Sequence, residues 1–491
     1  MAYRHGVYIF EVPTSIQPPV MVDSAVPVVF GTAPIHLAED PYGVTNEPRL
    51  LTTLAEAARA FGMNTRSPKL WREYTAIQTF FSTFQLYAVA PIVFVNVIDP
   101  HIHNVRVTGE AVEINGESTV LNVHGVLLNT VTVRDEIGTE LAFGEQVGLA
   151  FNRDGLLQIN LLNGETTQTL YVDYTRLAPE QVDIMDIIGG YNMAKSKNEG
   201  LEIVEDIFTD FRIVPGQIVA PGFSQDPVVA AVMETRADNI NGHFRAIALI
   251  DAPTVEVDRN GVTVNKRWQD LAAWKNRNNI VQKQQVLLYP KIALGELTFW
   301  YSVQMANLIA WTDSRNRGIP YESPSNNNIR ANALVNELDK QIKLNVQQAN
   351  MLNGNGIVTA INFNAGWVAW GNRTATFPGN TDVKDNILSI RRMFNWLGNT
   401  FVLTFMSRIS DPMTRRRIDS IVDSANIWLN GLAAQEFITG GRVEFHEQDN
   451  PITSLMNGHI AFRFMVTPPS PMIAIDFIME YDPEYLSRLF A

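Results

Sequence analysis

The stretch IVFVNVI, residues 92–98, is a nearly unbroken run of β-branched and aromatic residues. Such a run predicts a strand covered on both faces, as in the middle of a parallel sheet. The run VPVVFGTAP, residues 26–34, predicts a second short buried strand. Between them, TTLAEAARAFG predicts a helix that ends at Gly62, and apolar residues three or four apart from Trp71 to Ala88 predict another. This order of elements predicts the start of an α/β core.

The pattern changes after residue 100. From His101 to about Leu177 the chain consists of short alternating runs separated by Gly, Asn and Asp, which is typical of strands joined by turns. We therefore predict an all-β domain, residues 101–178, inserted into an α/β core made of residues 21–100 and 179–330. Strand-like and helix-like segments alternate again after the insertion, which favours a largely parallel sheet.

Residues 331–470 are predicted to form an α+β C-terminal domain. A helix is indicated by the spacing of Val335, Leu338, Ile342, Val346 and Ala349. A longer helix is predicted after Asp411, with Asp411 as N-cap, Pro412 as its first residue and Gly440 and Gly441 as its stop. The segments HIAFRFMV and MIAIDFIME predict two closing strands.

Both ends of the chain carry strand-like segments without an evident partner. In GVYIFEVP the alternating residues are followed by prolines instead of a turn, and MIAIDFIMEYD near the C-terminus alternates apolar with acidic positions. Backbone N–H and C=O groups of a strand need partners, so we predict that residues 1–20 and 471–491 are arms that pair with other copies. The predicted pairing residues are Val7, Tyr8, Ile9, Phe10, Glu11, Val12, Ile473, Ile475, Phe477 and Met479, with Asp476 and Glu480 on the opposite face.

Composition excludes several functions. The net charge of −13 over 491 residues argues against general binding to nucleic acid. The chain has no cysteine, which excludes disulfides, thiolate nucleophiles and cysteine-ligated zinc. We expect a protein made in a cytosol that does not insert into a membrane, because no apolar run reaches about 18 residues and no signal peptide is evident.

Candidate catalytic and metal-binding residues are few. His101 and His103 would lie on one face of a strand, but no further ligand follows nearby, and we favour a solvent-facing pair at a strand edge. Asp251 ends a predicted parallel strand, where α/β enzymes bind ligands, and His243 precedes it. The sequence has no G-x-S-x-G elbow and no phosphate-binding glycine loop. We predict no catalytic residue, no metal and no cofactor.

Three consecutive cations, Arg415, Arg416 and Arg417, stand in the first turn of the predicted long helix. There they oppose the helix dipole, at a cost of about 0.3–1 kcal/mol each. Two interpretations stay open. The arginines form a solvated face beside Asp419 and Asp423, or they meet an anionic partner.

Several segments, in this order, resemble contractile tail sheath proteins. Residues 5–34 resemble the G-V-Y-x-x-E-V-like start of that family. Residues 308–329 are similar to a segment in which T-D, R-G and S-P-x-N recur, and WVAWGNRTAT resembles its W-G-x-R-T. LSIRRMFNWL is similar to the R-R helix that follows. One departure is the absence of the family's glycine in ANLIAWTD.

The resemblance implies a structural subunit of a phage tail sheath, a helical tube that surrounds the inner tail tube and contracts to drive it through a cell envelope. It implies a subtilisin-like core without a working triad, an inner-wall C-terminal domain that could bring the three arginines to the tube, and arms that join a neighbour's sheet. Implied partners are other copies, the inner tail tube protein, and baseplate and tail terminator proteins, in a virion assembled in the host cytoplasm. Tailocin and secretion sheaths, an α/β hydrolase with a β accessory domain, and a static capsid or tube protein are the alternatives.

Overall fold

The computed structural model describes residues 19–114, 116–162, 169–364 and 366–490. The predicted N-terminal strand at Val7 to Val12 lies outside these residues. The described chain combines helices and strands in an α/β arrangement.

An eight-stranded sheet forms the centre of the molecule. Its six inner strands are parallel, and the strand at each edge is antiparallel to its neighbour. The strand predicted from IVFVNVI is confirmed as Ile92–Asn96 and is buried along its whole length. In spatial order the strands are Arg49–Leu51, Ile92–Asn96, Pro27–Gly31, Gln217–Val219, Ile247–Asp251, Gln285–Leu288, Ile357–Phe363 and Gly366–Trp370.

Helices cover both faces of this central sheet. Neighbouring residues of each strand point to opposite sides of the sheet, so a strand of apolar residues presents an apolar surface on both sides. Val29 and Phe94 pack into one apolar cluster, whereas Val28 and Val93 pack into the other. The predicted helix before Gly62 is confirmed, with a Thr53 cap and Gly62 at φ 77°. The longer helices are Leu54–Phe61, Pro227–Asp238, Tyr301–Ser314, Val346–Asn353, Leu388–Phe405 and Arg415–Ala434.

Shorter helices complete the two layers. The apolar stripe from Trp71 to Ala88 is divided into three segments, because Tyr74 adopts an extended conformation and a π-helical segment follows. The segments and the other short helices are Pro68–Glu73, Thr75–Phe80, Phe81–Tyr87, Ile184–Ile188, Ile207–Phe211, Leu271–Arg277, Val383–Asn386 and Ile452–Met456.

Residues 104–177 form a separate β unit with its own apolar core, which includes Leu121, Val133 and Leu157. Its two sheets have three strands each. Asn104 on the first strand pairs with Leu177 on the last, so the chain enters and leaves the unit side by side. The strands are Asn104–Glu113, Ser118–Leu121, Thr132–Arg134, Val147–Phe151, Leu157–Leu161 and Thr169–Leu177.

The helix predicted from the spacing of Val335, Leu338, Ile342, Val346 and Ala349 is confirmed only in its second part, as helix Val346–Asn353. Its first part is wrong. The Asn336 side chain accepts hydrogen bonds from the backbone N–H groups of Leu338 and Lys340, which forms a turn instead of a helix. This turn joins two strands of a four-stranded sheet: Leu297–Phe299, Lys291–Leu294, Ala333–Val335 and Gln341–Ile342. Two-stranded sheets are formed by Gly190–Asn192 with Lys197–Glu199 and by Val255–Val257 with Thr263–Asn265.

The central sheet crosses the boundary that we drew at residue 331. Ile357–Phe363 pairs in parallel with Gln285–Leu288, and Gly366–Trp370 follows it in the same sheet. The C-terminal region also contains the two long helices, shorter helices and a hairpin, Gly440–Glu444 with Arg463–Thr467. The second of these strands corresponds to the predicted strand HIAFRFMV.

The predicted start of the long helix after Asp411 is wrong. The helix begins at Arg415 with Thr414 as N-cap, because the first backbone N–H groups of the helix donate to the Thr414 carbonyl. It ends at Ala434, before the predicted glycine stop, and Gly440 starts the hairpin instead. Residues 471–482 have no regular secondary structure within the protomer, and Pro483–Phe490 is a 3-10 helix.

Candidate assembly surfaces

Asp251 lies in a buried polar cluster at the end of its strand. Its carboxylate accepts hydrogen bonds from the Ser302 backbone N–H, 2.9 Å away, and from the Ser302 hydroxyl, 2.5 Å away. Burial raises the pKa of Asp251 to about 6. His243 is exposed in the turn before the strand, and its ring lies beside Phe244. The cluster therefore joins the strand to the start of helix Tyr301–Ser314 instead of building a triad.

The expected solvent-facing pair of His101 and His103 is wrong. His103 is buried, with Nε2 3.2 Å from Asp186 and Nδ1 accepting from the Asp99 backbone N–H. His101 is exposed in the preceding turn and lies against Tyr42. The turn separates the two imidazoles, so they do not share a strand face. Among the described residues, no group of three acidic or histidine side chains could hold a metal ion.

A buried ion pair joins two helices of the body. Arg392 on helix Leu388–Phe405 makes two hydrogen bonds to the Asp313 carboxylate on helix Tyr301–Ser314, and their side chains are 3% and 1% exposed. In the sequence, Asp313 and Arg392 belong to separate motifs. Two motifs 79 positions apart carried no signal that their charges meet.

The first described residues are fixed against helix Leu388–Phe405. The Val20 backbone N–H donates to the Thr404 hydroxyl at 3.0 Å, and the Trp396 indole donates to the Val22 carbonyl at 2.9 Å. Ser24 donates to Asp313 at 2.6 Å. Residues 20–24 are therefore held by hydrogen bonds to helices Leu388–Phe405 and Tyr301–Ser314.

The three arginines of helix Arg415–Ala434 differ in their contacts. Arg415 pairs with Asp419 one turn later at 3.0 Å, while Arg417 donates to the Pro412 carbonyl and lies 3.7 Å from Asp411. Arg416 is exposed and has no ion pair or hydrogen bond within the part of the chain that the structure describes. Intramolecular carboxylates thus account for two of the three cations.

The C-terminal segment, defined here as residues 472–481, is an exposed apolar stretch. Its side chains at Phe477 and Met479 are 86% and 93% exposed, and those at Ile473 and Ile475 are exposed as well. Large contiguous apolar surface is uncommon on a free monomer and marks a site of interaction. The structure gives this segment no partner within the described protomer.

Comparison with known proteins finds similarity to tail sheath proteins. The chain is 26% identical to the tail sheath protein of Burkholderia phage BcepMu over 499 residues, which cover 99% of this chain and 98% of that protein. The chain is therefore similar to a contractile tail sheath protein along almost its whole length. No family model matches it. No helix among the described residues is long and apolar enough to cross a membrane.

Solved structures of sheath assemblies share the fold. A chain of the anti-feeding prophage baseplate superimposes with a TM-score of 0.58 at 13% identity, covering 98% of this chain and 100% of that one. A chain of the contracted sheath complex of the PVC extracellular contractile injection system gives a TM-score of 0.56 at 14% identity, with 99% coverage of both. At this low identity, the likeness shows a shared fold.

Proposed function

We propose that the protein polymerises into the contractile sheath of a phage tail. The observation that carries this proposal is the similarity to a phage tail sheath protein along 99% of the chain. The exposed C-terminal segment supports it, because a polymer subunit needs surface that only another copy covers. Structural neighbours titled as contracted sheath and baseplate support self-assembly and contact with a baseplate.

In this proposal the terminal arms hold the polymer together. Residues 7–12 and the C-terminal segment add as strands to the small sheet of a neighbouring copy, where main-chain hydrogen bonds supply affinity. The arms leave from residues 19–24 and 468–471, and both exits lie near the end of helix Leu388–Phe405, where Val20 bonds to Thr404 and Phe464 packs against Phe401. Bodies can then rotate relative to one another while the strands stay paired.

The finer parts of the proposal concern partners and domains. The core of residues 21–100 and 179–330 takes the subtilisin-like place in the family plan, the β unit projects outward, and the C-terminal helices face the inner tail tube. Arg416 is the best candidate for a tube contact because it has no internal carboxylate partner among the described residues. The sequence lacks a nucleotide-binding loop, so contraction draws on free energy stored in the extended lattice. The polymer assembles in the host cytoplasm between baseplate and tail terminator.

Electron microscopy of the purified protein tests the proposal. We expect helical tubes in negative stain at high protein concentration, without added nucleotide. A protein that stays monomeric under all conditions, and also fails to coat purified inner tubes, would contradict it. Nucleotide-dependent contraction of purified tails would contradict the energetic part alone.

A further inference from the structure

The β unit also contacts the body away from the strands through which the chain enters and leaves it. Asn64 Nδ2 of the body donates to the Arg153 carbonyl of the β unit at 3.2 Å, and Gly155 in the same turn is buried. A Cβ atom on Gly155 would lie 3.0 Å from Leu70 Cδ1, so the two surfaces are in close contact. We call this contact the junction. It comprises residues 36 and 64–74 of the body and residues 124 and 151–155 of the β unit.

Two imidazole rings lie at the junction. His36, in the short helix Ile35–Leu37 of the body, is 3% exposed. Its ring centroid is 6.0 Å from that of Tyr74 in the body and 5.7 Å from that of Phe151 in the β unit. His124 of the β unit has Nε2 3.2 Å from the Ser67 hydroxyl of the body. Each histidine therefore contacts a residue of the other unit.

The His36 ring is buried without a polar partner. Neither of its nitrogens has a hydrogen bond within the part of the chain that the structure describes, and the same holds for His124 Nδ1. Buried polar groups are normally hydrogen-bonded, and a buried charge without a partner costs much more than a neutral ring. Burial, with a smaller contribution from His124, lowers the pKa of His36 to about 3. Burial also lowers the pKa of His124.

Few charged groups surround the two rings. Lys69 disfavours a positive charge on His124, whereas Asp154 favours one. The Tyr74 phenol stays neutral, because burial raises its pKa. Further charges at the rim of the junction or beyond Tyr74 are Arg66, Glu73, Arg153, Arg176 and Glu180. Among the described residues, none of these carboxylates bonds to His36, so a proton on this ring has no counter-charge at the junction.

We propose that the junction is a pH-dependent contact, in which neutral His36 and His124 hold the β unit against the body and their protonation releases it. The released unit stays connected through its first and last strands, which pair side by side at Asn104 and Leu177. The inference goes beyond the proposed function, since it concerns the single subunit and does not depend on polymerisation.

Acid should favour release. A solvated imidazole has a pKa near 6.5 and the docked rings have lower values, so the released state binds more protons below about pH 6.5. Docking is therefore at full strength above this pH. It weakens as pH falls, about tenfold for each unit of pH and each histidine, until the pKa of the docked ring is reached. His36 alone should weaken docking by about 100-fold at pH 4.5.

Spin labels measure docking, since the natural chain has no cysteine. Arg66→Cys on the body and Arg153→Cys on the β unit, both at exposed positions, each carry one label in the full-length protein. The Arg153 backbone bonds to Asn64, so the labels lie close together in the docked state and their dipolar coupling broadens the electron paramagnetic resonance spectrum. We expect broadening at about pH 7.5 and its loss by about pH 4.5, with the circular dichroism spectrum unchanged.

A double variant, His36→Phe with His124→Gln, tests whether the histidines cause the release. It removes both titrating groups, keeps an apolar ring beside Tyr74 and offers an amide to Ser67. With the same labels it should stay docked at about pH 4.5, with a docking constant about 100-fold or more above that of the natural chain. The matched control is His459→Gln, at an exposed position, which should release like the natural chain.

Three outcomes overturn the inference. The first is broadening that persists to about pH 4.5 in the natural chain, and the second is release of the natural chain and the double variant at the same pH. The third is a loss of broadening that occurs only together with the circular dichroism signal, which indicates acid unfolding. If the double variant fails to fold, His36→Gln and His124→Gln are titrated singly. Each should then lower the pH at which half of the protein is released, and an unchanged midpoint in both overturns the inference.

Discussion

The last strand of the central sheet and the last strand of the C-terminal hairpin differ at their outer edges. The strand Gly366–Trp370 of the central sheet is covered by residues 326–329, with Asn326 N–H donating to the Ala369 carbonyl at 2.7 Å and Ile329 N–H to the Trp367 carbonyl at 3.0 Å. In the hairpin, Asn426 bonds to both backbone groups of Val443 on the first strand, whereas no described residue bonds to the outer edge of strand Arg463–Thr467. An exposed edge is an aggregation hazard, so its retention beside an apolar segment indicates a surface used for assembly.

Charged residues follow the same division. Within the body, Arg392 and Asp313 are paired and almost inaccessible, so they stabilise the fold. At the start of helix Arg415–Ala434 the arginines are exposed, and their pairs with Asp419 and Asp411 are worth little. The comparison separates charges that stabilise the fold of the subunit from exposed charges that contribute little to it.

Removing the arms should have the largest effect, a loss of assembly without a loss of the folded body. We expect deletion of residues 1–19, or of residues 472–491, to abolish sheath formation while the body keeps its circular dichroism spectrum and stays monomeric. The C-terminal segment adds little to the described core, since it is exposed. Normal tubes from either truncated protein, seen by negative stain, would show that the arms are dispensable.

Breaking the buried ion pair should instead lower the stability of the folded body. Arg392→Ala leaves the Asp313 carboxylate buried without its cation, which should lower the free energy of unfolding by about 3–5 kcal/mol. The matched control is Arg415→Ala, which removes an exposed pair worth about 0.5 kcal/mol. Urea denaturation measures both. Similar losses for the two variants would contradict the division between body and surface charges.

Asp251 should make the stability of the body depend on pH. The folded state keeps this proton up to about pH 6, whereas the unfolded chain loses it near 3.8. The folded state therefore binds more protons between these values, and stability falls as pH rises through this interval. Asp251→Asn should remove a change of up to about 3 kcal/mol in the free energy of unfolding.

Urea titrations at several pH values compare the Asp251→Asn variant with the natural chain. Asp411→Asn, at an exposed position, serves as the control and should leave the profile unchanged. Parallel profiles for the natural chain and Asp251→Asn would mean that Asp251 is already ionised in the fold.

The smallest effect per residue is expected at the arginines. Changing Arg415, Arg416 and Arg417 to Glu should weaken assembly of extended sheath on inner tubes, because exposed pairs contribute roughly 0–1 kcal/mol each but repeat in every copy. Polymerisation without tubes should be unaffected. Arg416→Glu alone should retain most of the defect, since Arg416 has no partner within the described chain. Cosedimentation with tubes measures it, and equal failure of both assembly modes would remove the tube assignment.

Local patterns in the sequence correctly predicted elements whose side chains all lie in the same surroundings. The run at residues 92–98 is buried on both faces, so its apolar character alone identified the strand, and the Gly62 stop was equally local. The helix predicted through Val335 and Leu338 was wrong because the Asn336 side chain forms a turn that apolar spacing does not reveal. Two features could not be predicted in this way: the pairing of Arg392 with Asp313, and the hydrogen bonds of Asn426 to strand Gly440–Glu444. Both join residues that are far apart in sequence or in different elements, and the spacing of hydrophobic residues does not indicate such contacts.

In the proposed polymer, the four residues between strand Arg463–Thr467 and the C-terminal segment also determine how tension is carried. In an extended conformation they span about 12 Å. A pull on a C-terminal segment that is paired with a neighbouring copy passes through this short, stiff connection into strand Arg463–Thr467. The load then acts on the hairpin and bypasses the central sheet and the inserted β unit.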